Sequence, residues 1–403
     1  MKLSKKMNIN KLLSNRVRNI KTNPFIIDLK KQYKFLNSKI KDKKLLIIGG
    51  AGTIGSSYIK LILKYQPTKL CVVDINENGL TELTRDLRSS NLLDFNPEYI
   101  TYPVNLLSNT FDKVFFSDHF DVVANFSAHK HVRSEKDKIS VEALIKNNVY
   151  GAIKLLNLCS ERPPKYFFSV STDKAARPVN IMGASKSLME KLILSKKKEF
   201  RVSTARFANV AFSNGSLLDG FTYRIQKQQP LSCPSDIKRF FVTPEQSGQI
   251  CLLSTFLGRS GNIFFPKLDF HKDQIFFKDI ALDFLKEKLL EPVLVNSEKE
   301  AKEFDINNNP RKYPIYFFKT DTSGEKKYEE FYTEEEDYNI NTYNSLGFIE
   351  TPEVEISFEK VEKDFDAVFD SPNSDKADIA KMINKYVHDF IHIETGKNLD
   401  QKM

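Results

Sequence analysis

The feature that most constrains the fold is an alternation of short apolar runs with helical patterns between residues 44 and 207. The runs are rich in Val, Ile, Leu and Phe without polar alternation, which is typical of strands buried on both faces of a parallel sheet. They predict six strands: Lys44–Ile48, Lys69–Asp74, Tyr99–Val104, Asp121–Phe126, Tyr166–Val170 and Val202–Phe207. Helical patterns, such as 141–158, fill the gaps between them. Strands alternating with helices predict an α/β protein with a doubly wound parallel sheet.

A glycine-rich turn follows the first predicted strand and opens a helix. Gly49, Gly52 and Gly55 suit a tight turn, a close backbone approach and close packing of helix on strand. The amides of Thr53 and Ile54 lie at the helix start, where the positive end of the helix dipole favours phosphate groups. The turn therefore predicts a Rossmann-type site for the pyrophosphate of a dinucleotide.

An acidic residue ends the second predicted strand at the expected distance. Asp74 lies 19 residues after Gly55 and is placed to accept hydrogen bonds from both hydroxyls of an adenosine ribose. A 2′-phosphate would be repelled there, so we expect NAD rather than NADP. A glycine motif alone is weak support, but here strand, glycines, helix, strand and acid follow in order.

Polar side chains follow the fifth predicted strand, at the edge where open α/β sheets bind ligands. Thr172, Asp173 and Lys174 place a hydroxyl, a carboxyl and an amine side by side. Lys186 follows fourteen residues after Thr172 on an apolar helical pattern, so it can converge with them on one substrate. The alternative interpretation is a Thr-Asp helix N-cap followed by solvated lysines.

Three stretches of the sequence resemble a known family. They are Asn125–Val132, the block from Ser171-Thr172-Asp173-Lys174-Ala175 through Asn180–Lys186, and Arg206–Val210. With the glycine spacing, they are similar to the extended short-chain dehydrogenase/reductases. Within that family they resemble the UDP-N-acetylglucosamine 4,6-dehydratases of bacterial surface-polysaccharide synthesis, a CapD-like group. The resemblance covers about residues 44–350. Met182 occupies the position of the usual catalytic tyrosine and cannot take a proton.

The resemblance implies a role for each matching residue. Catalytic roles would fall to Thr172, Asp173, Lys174 and Lys186. The cofactor NAD would be bound by Gly49, Gly52, Thr53, Ile54, Gly55, Asp74, Ser127, Ala128, Asn148 and Lys186, and the UDP-sugar by Lys130, Asn209, Ser216 and Arg239. Among these, Asn209, Ser216 and Arg239 would hold the nucleotide diphosphate, and loop capping and surface charge are the alternatives for these three residues.

Charge and cysteine content limit the other functional classes. The net charge is +9, but residues 1–43 carry 13 Lys or Arg against two acids, so the rest of the chain is slightly acidic. This argues against a nucleic-acid-binding body. Four widely spaced cysteines and six histidines show no metal-ligand pattern, so we expect no metal site. We expect a cytoplasmic protein with reduced cysteines, because no apolar run is long enough to span a membrane.

The expected organisation has four parts. Residues 1–43 form a basic leader with a docked helix at 24–41, and residues 44–210 form the NAD-binding domain. Residues 211–370 are mainly a smaller, sequence-interleaved substrate-binding region, with a return to the first domain around 240–265. Residues 374–395 form a closing helix. The leader either contacts an anionic membrane peripherally or serves as a solubilising or partner-binding segment.

The resemblance implies an NAD-dependent lyase that converts UDP-N-acetylglucosamine to a 4-keto-6-deoxy sugar, and we also expect a homo-oligomer. In this mechanism Lys174 removes the C5 proton, and Asp173, protonated, donates to the departing C6 hydroxyl. Thr172 binds O4, and the sequence leaves open which group takes the O4 proton; a water relayed to Lys186 or Asp173 is one candidate. The alternatives are a nucleotide-sugar 4- or 5-epimerase, whose product would be isobaric with its substrate, and a non-catalytic NAD-binding scaffold.

Overall fold

The computed structural model describes residues 12–13, 21–326 and 328–397. The strands are β1 Lys44–Ile48, β2 Lys69–Asp74, β3 Glu98–Pro103, β4 Val122–Asn125, β5 Tyr166–Val170, β6 Val202–Ala205, β7 Asn209–Val210, β8 Leu231–Pro234, β9 Lys238–Val242, β10 Asn262–Pro266, β11 Gln274–Phe276, β12 Glu291–Val295, β13 Lys312–Phe318, β14 Tyr338–Asn339 and β15 Leu346–Ile349. The helices are α1 Pro24–Lys31, α2 Tyr33–Ile40, α3 Thr53–Ile62, α4 Glu77–Ser89, α5 Asn109–Phe116, α6 Lys138–Ile145, α7 Gly151–Glu161, α8 Ile181–Ser195, α9 Leu217–Gln226, α10 Pro244–Phe256, α11 Phe277–Glu287, α12 Glu298–Glu303, α13 Phe358–Phe369 and α14 Lys376–Asn384.

The main sheet confirms the predicted doubly wound architecture. Its strand order, among the described residues, is β14-β15-β10-β6-β5-β4-β1-β2-β3. The strands from β10 to β3 are parallel, and β15 and β14 extend that edge in antiparallel fashion. The order reverses between β1 and β4, where sheets of this type open a crevice for ligands at the carboxyl ends of the strands.

Apolar side chains fill both faces of the main sheet. One buried cluster packs α1, α2, α3 and α10 against it, and a second packs α5 to α8 with α13 and α14 on the other face. Gly248 of α10 lies against α3 so closely that a Cβ atom there would come 2.6 Å from the carbonyl oxygen of Ser57. This absence of a side chain lets the two helices pack together over the sheet.

A smaller lobe is built from two three-stranded sheets, in the orders β11-β9-β7 and β12-β13-β8. Its core includes Phe221, Phe284 and Ile315. Leu12 and Leu13 from the basic leader are buried in the same cluster. The other leader residues before Lys21 lie outside the described residues, so the expectations for them stay predictions.

The segment 24–41, predicted as one helix, forms two. Gln32 separates α1 from α2, with backbone angles of φ −93° and ψ 5°. The two helices are fixed to different neighbours. Asp28 of α1 accepts hydrogen bonds from Asn344 and Ser345, whereas the ring of Tyr33 in α2 packs on that of Tyr65, tilted by 32° with centroids 5.5 Å apart.

The closing helix is shorter than predicted, because it ends at Asn384 rather than continuing to 395. The amide of Asn384 donates to the carbonyl of Phe390 (3.1 Å), which turns the chain back. Ile391 and Ile393 then donate backbone hydrogen bonds to the carbonyls of Pro178 and Val179. Val387 and Phe390 are buried beyond Asn384 in a chain that turns, so their spacing resembles a helix without forming one.

Candidate active site

The glycine turn is a close-packed cradle at the start of α3. Gly49 has φ +74°, and a Cβ atom there would come 2.5 Å from the backbone nitrogen of Ser127. A Cβ atom on Gly55 would come 2.4 Å from the carbonyl oxygen of Gly49. Helix α3 begins after Gly52 without a side-chain cap, and Thr53 and Ile54 are its first residues. An uncapped helix start beside a tight glycine turn fits the phosphates of a dinucleotide.

Asp74 lies at the end of β2, next to this turn. Its two carboxylate oxygens accept hydrogen bonds from the backbone amides of Ala51 and Asn76, both at 2.9 Å. Each oxygen has a second lone pair, so the carboxylate keeps acceptor capacity toward a ribose. The position fits the role expected from the sequence.

The loop after β4 is held in place by two asparagines. The side chain of Asn125 accepts hydrogen bonds from the backbone amide and hydroxyl of Ser127, at 3.0 and 2.7 Å. Asn148 lies in a π-helical turn, Lys146–Tyr150, that joins α6 to α7. It exchanges hydrogen bonds with the backbone of His129 and donates to Ser185 at 3.0 Å. Ser127 and the half-buried Ala128 therefore lie beside the glycine turn, while Asn148 supports the loop from behind.

The residues expected to bind substrate have different surroundings. Lys130 is exposed on the loop after β4. The side-chain nitrogen of Asn209 is buried and has no hydrogen-bond partner, which leaves a donor for a bound ligand. Ser216 caps the N-terminus of α9, because its hydroxyl accepts a hydrogen bond from the backbone amide of Asp219 at 3.2 Å. This is the capping role that the sequence left as an alternative to diphosphate binding. The loop that contains Ser216 reaches the glycine turn, because the backbone amide of Asn214 donates to the Thr53 hydroxyl at 3.0 Å.

Thr172, Asp173 and Lys174 form a hydrogen-bonded group at the end of β5. The Thr172 hydroxyl donates to Asp173 at 2.9 Å, and the Lys174 ammonium lies 3.2 Å from the same carboxylate oxygen. Asp173 is buried and Lys174 is half-buried. A Cβ atom on Gly183 would come 2.4 Å from the Lys174 carbonyl, so the first turn of α8 rests directly on the triplet.

A second carboxylate, which is not among the site residues expected from the sequence, completes this group. Glu329 is buried and lies 3.4 Å from the Lys174 nitrogen. Burial lowers the pKa of Lys174, but the charges of Asp173 and Glu329 outweigh this and hold that pKa above its ordinary value. Burial raises the pKa of Glu329, and one of its oxygens has no hydrogen-bond partner. With this pairing Lys174 rests as an ammonium ion, so it becomes a base only after passing on a proton.

Arg239 lies in the same cluster. Its guanidinium is buried, 2.8 Å from Glu325 and 3.6 Å from Glu329, and it donates to the carbonyls of Lys238 and Lys326. The sequence resemblance implied a contact with the nucleotide diphosphate, and in the structure Arg239 lies among carboxylates. Asp173, Glu325 and Glu329 thus face Lys174 and Arg239, an arrangement that can hold an additional proton.

Lys186 points from α8 toward the end of β5. Its ammonium donates to the carbonyl of Val170 at 3.1 Å. Burial lowers the pKa of Lys186 to about 8, although the charge of Glu190 opposes the effect. Lys186 can therefore exchange a proton near neutral pH.

A buried ion network supports the triplet from behind. Arg206 forms two-pronged hydrogen bonds to Glu190 and an ion pair with Glu336 at 2.9 Å. Ser171, which precedes Thr172, donates to Glu190 at 2.5 Å. Glu336 is therefore part of this network, although it lies at the end of the acidic run 334–336.

Met182 is buried at the start of α8, where a carboxylate holds the helix. Glu135 accepts hydrogen bonds from the backbone amides of Ile181 and Met182, at 3.0 and 2.8 Å. Burial raises the pKa of Glu135 to about 7, although these amides lower it. Glu135 thus links the loop after β4 to the helix that carries Lys186.

Comparison with known proteins decides the family. The model of the family described as polysaccharide biosynthesis protein matches residues 45–350. The chain belongs to this family. An uncharacterized membrane protein of Methanocaldococcus jannaschii is 30% identical over 312 residues, 76% of this chain and 85% of that protein.

Other relatives of this family member are described as nucleotide-sugar enzymes. An inverting UDP-N-acetylglucosamine 4,6-dehydratase of Campylobacter jejuni is 29% identical, covering 56% of this chain and 67% of its own length. A UDP-glucose 4-epimerase of Rickettsia felis is 27% identical, and the match covers 80% of this chain and 98% of that protein. The chain is therefore a member of the nucleotide-sugar dehydratase and epimerase superfamily, and the resemblance to extended short-chain dehydrogenase/reductases is confirmed.

Solved structures share the fold. The structure of Pen from Bacillus thuringiensis matches with a TM-score of 0.63 and 23% identity, covering 80% of this chain and 97% of that one. A dTDP-glucose 4,6-dehydratase from Streptomyces venezuelae matches with a TM-score of 0.52 and 16% identity, and the match covers 72% of this chain and 88% of that one. No helix among the described residues is long and apolar enough to cross a membrane.

Proposed function

We propose that the protein is an NAD-dependent 4,6-dehydratase of a UDP-N-acetylhexosamine, most simply UDP-N-acetylglucosamine, acting in the synthesis of a surface polysaccharide. The observation that carries this proposal is the buried group of Asp173, Lys174 and Glu329 at the end of β5. Water elimination needs an acid and a base on neighbouring carbons of one sugar, and this group supplies both. Binding of a dinucleotide alone requires neither, so the scaffold alternative leaves the group unexplained.

The glycine turn and Asp74 would hold NAD. The turn admits backbone but no Cβ atom at Gly49 and Gly55, and α3 starts beside it without a side-chain cap. NAD, when bound, accepts a hydride from C4 of the sugar and returns it at C6. Asp74 would bind the adenosine ribose, and Lys186 the nicotinamide ribose.

The proposed elimination begins with a proton transfer inside the triplet. The Lys174 ammonium passes a proton to Asp173, 3.2 Å away, which yields a neutral amine and a neutral carboxylic acid. Exclusion of water by the substrate favours this neutral pair over the ion pair. The amine then takes the C5 proton of the 4-keto sugar, and Asp173 gives its proton to the departing C6 hydroxyl, which leaves as water.

The O4 proton needs a separate acceptor, because Met182 cannot take it. Thr172 would hydrogen-bond O4, and we propose that Lys186 takes the proton through one water molecule. The lowered pKa of Lys186, about 8, supports this role, because an appreciable fraction of the amine is unprotonated at neutral pH.

A nucleotide-sugar 4-epimerase is the second candidate, favoured by the broad coverage of the Rickettsia felis relative. Incubation of the purified protein with NAD and UDP-N-acetylglucosamine separates the two. A dehydratase yields a product lighter by one water molecule, whereas an epimerase yields an isobaric product. An unchanged substrate in both mass and chromatography would contradict both proposals.

A further inference from the structure

The first turn of α8 connects the two lysines of the candidate active site. Gly183 in this turn lies against the triplet, since a Cβ atom there would come 2.4 Å from the Lys174 carbonyl. Further along the same helix, Lys186 donates to the Val170 carbonyl at 3.1 Å. A shift of the first turn would therefore displace one lysine relative to the other.

The same turn is tied to the loop that carries Glu329. Asn180, the N-cap of α8, accepts a hydrogen bond from the Gly183 amide at 2.7 Å and donates one to the Gly324 carbonyl at 2.8 Å. Gly324 lies five residues before Glu329 in the sequence. The triplet, the helix of Lys186 and the loop of Glu329 thus meet at the start of α8.

Glu135 holds this turn from a different part of the chain. Its two carboxylate oxygens accept hydrogen bonds from the backbone amides of Ile181 at 3.0 Å and Met182 at 2.8 Å. The first amides of an α-helix have no acceptor within the helix, so they need such a partner. A carboxylate at this end is also favoured by the helix dipole. Glu135 therefore completes the capping that Asn180 begins.

The charged neighbours of Glu135 come from the end of the chain. Lys376 of α14 donates to the backbone carbonyl of Glu135 at 3.3 Å and forms an ion pair with Glu394, and His392 lies near this pair. Burial raises the pKa of Glu135 to about 7; the two amides and Lys376 lower it, and Glu394 raises it. Glu135 can therefore change its charge near neutral pH.

The raised pKa also shows that charge on Glu135 costs folding free energy. The folded pKa of about 7 lies above the ordinary value of 4.5, so the contribution of this group to stability falls as the pH rises from 4.5 to about 7. A neutral polar side chain would avoid that cost. The cost favours a role in the site over a role in stability alone.

The charge of Glu135 determines how many amides it can hold. As a carboxylate it has acceptor oxygens for both Ile181 and Met182. As a carboxylic acid it carries a proton on one oxygen, which then becomes a donor. The amide that faces this oxygen loses its acceptor, and the first turn of α8 is held by one bond fewer.

We propose that Glu135 is a positioning residue for the dehydration: as a carboxylate, it holds the first turn of α8 where Lys174 and Lys186 keep the separation that the reaction needs. Protonation of Glu135 loosens this turn. Glu135 acts through the helix rather than on the sugar. The proposal rests on the proposed function for the identity of the reaction, whereas the two amide bonds exist without substrate.

Hydrogen–deuterium exchange of the full-length protein tests whether Glu135 holds the turn. The amides of Ile181 and Met182 are followed by mass spectrometry with fragmentation, and the rates are corrected for intrinsic exchange. Both amides should be protected in the wild type at about pH 8.5, and the protection should fall roughly 10- to 100-fold at about pH 5.5. In Glu135→Gln it should be low at both pH values. Glu135→Asp, which keeps a carboxylate on a shorter side chain, should recover part of it at the higher pH.

Steady-state kinetics connects the turn to the reaction. Glu135→Gln should lower kcat for the product lighter by one water roughly 10- to 100-fold, because a misplacement of about 1 Å can cost that much. The KM for UDP-N-acetylglucosamine should change much less. Asp137→Asn is the matched control, since Asp137 caps α6 through the Ser140 amide at 2.8 Å in the same loop. It should match the wild type in exchange and in kcat.

Three results would overturn the proposal, provided that circular dichroism shows each variant to be folded. The first is wild-type protection of Ile181 and Met182 in Glu135→Gln. The second is lost protection with an unchanged kcat, which would make the bonds structural only. The third is an equal loss in Asp137→Asn. A wild-type protein that yields an isobaric product would instead contradict the proposed function, and the same comparison of kcat would then be made on that product.

Discussion

Glu329 offers a direct test of how the Lys174 ammonium is controlled. Glu329→Gln keeps the shape of the side chain and removes one of the two carboxylates that face Lys174. At a separation of 3.4 Å, a unit charge pair contributes at most about 5 kcal/mol with an effective dielectric constant of about 20. Burial raises the pKa of Glu329 by disfavouring its charged form, which reduces this figure. The variant should therefore lower the pKa of Lys174.

The pH dependence of kcat/KM for keto-sugar formation measures this change. In the proposed mechanism the Lys174–Asp173 pair must keep the one proton that it shares, and Lys174 loses that proton at high pH, so the basic limb of the profile should move to lower pH in Glu329→Gln. Glu325→Gln is the matched control, because Glu325 pairs with Arg239 at 2.8 Å rather than with Lys174. The same limb of the pH profile should move less in this variant. An unchanged limb in Glu329→Gln would refute the reasoning. Loss of activity at every pH in the folded variant would show that Glu329 itself transfers a proton.

Three further changes test the surrounding site. Asp74→Ala should weaken NAD binding and narrow the preference for NAD over NADP, which fluorescence titration measures. Wild-type protein that copurifies with NADP would contradict this expectation. Gly49→Ala places a Cβ atom 2.5 Å from the backbone of Ser127 and forces a positive φ on alanine, so it should abolish NAD binding, and near-normal affinity would contradict the cradle. Lys186→Met should raise the free energy of unfolding at pH 7 by up to about 3 kcal/mol, because the folded pKa of about 8 lies below the ordinary value of 10.5. The wild type should gain stability relative to this variant as pH rises from about 8 to 10.5, and parallel urea-denaturation curves at all pH values would contradict the assignment.

The sheet could be predicted from the sequence because its signals are local. Each parallel strand is a short apolar run, and the glycine turn and Asp74 follow strand ends at fixed spacing. Thr172, Asp173 and Lys174 could be located for the same reason, since they directly follow β5. These features depend on neighbours in the chain and need no knowledge of distant contacts.

The rest of the site depends on contacts between distant segments. Glu329 lies in an irregular loop and reaches Lys174 only because the smaller lobe returns to the main sheet. Glu336 stands in an acidic run typical of solvated residues, yet it pairs with Arg206 from β6's end. Neither segment has a periodic pattern that reveals such a partner. The adjacency of Asp173 and Lys174 in the sequence predicted that the two side chains act together. It did not predict that Lys174 rests as an ammonium ion, because that charge state also depends on the distant Glu329.

The central claim is that Lys174 takes the C5 proton during water elimination, and turnover in D₂O tests it most directly. The wild type should convert UDP-N-acetylglucosamine to a product lighter by one water molecule that carries deuterium at C5. A positioned base contributes roughly 10²–10⁴-fold, so Lys174→Ala should show no measurable product while it still binds NAD. Met182→Leu, as the matched control, should turn over near the wild-type rate. A Lys174→Ala enzyme that forms the C5-deuterated product near the wild-type rate, or a wild-type product of unchanged composition, would contradict the account.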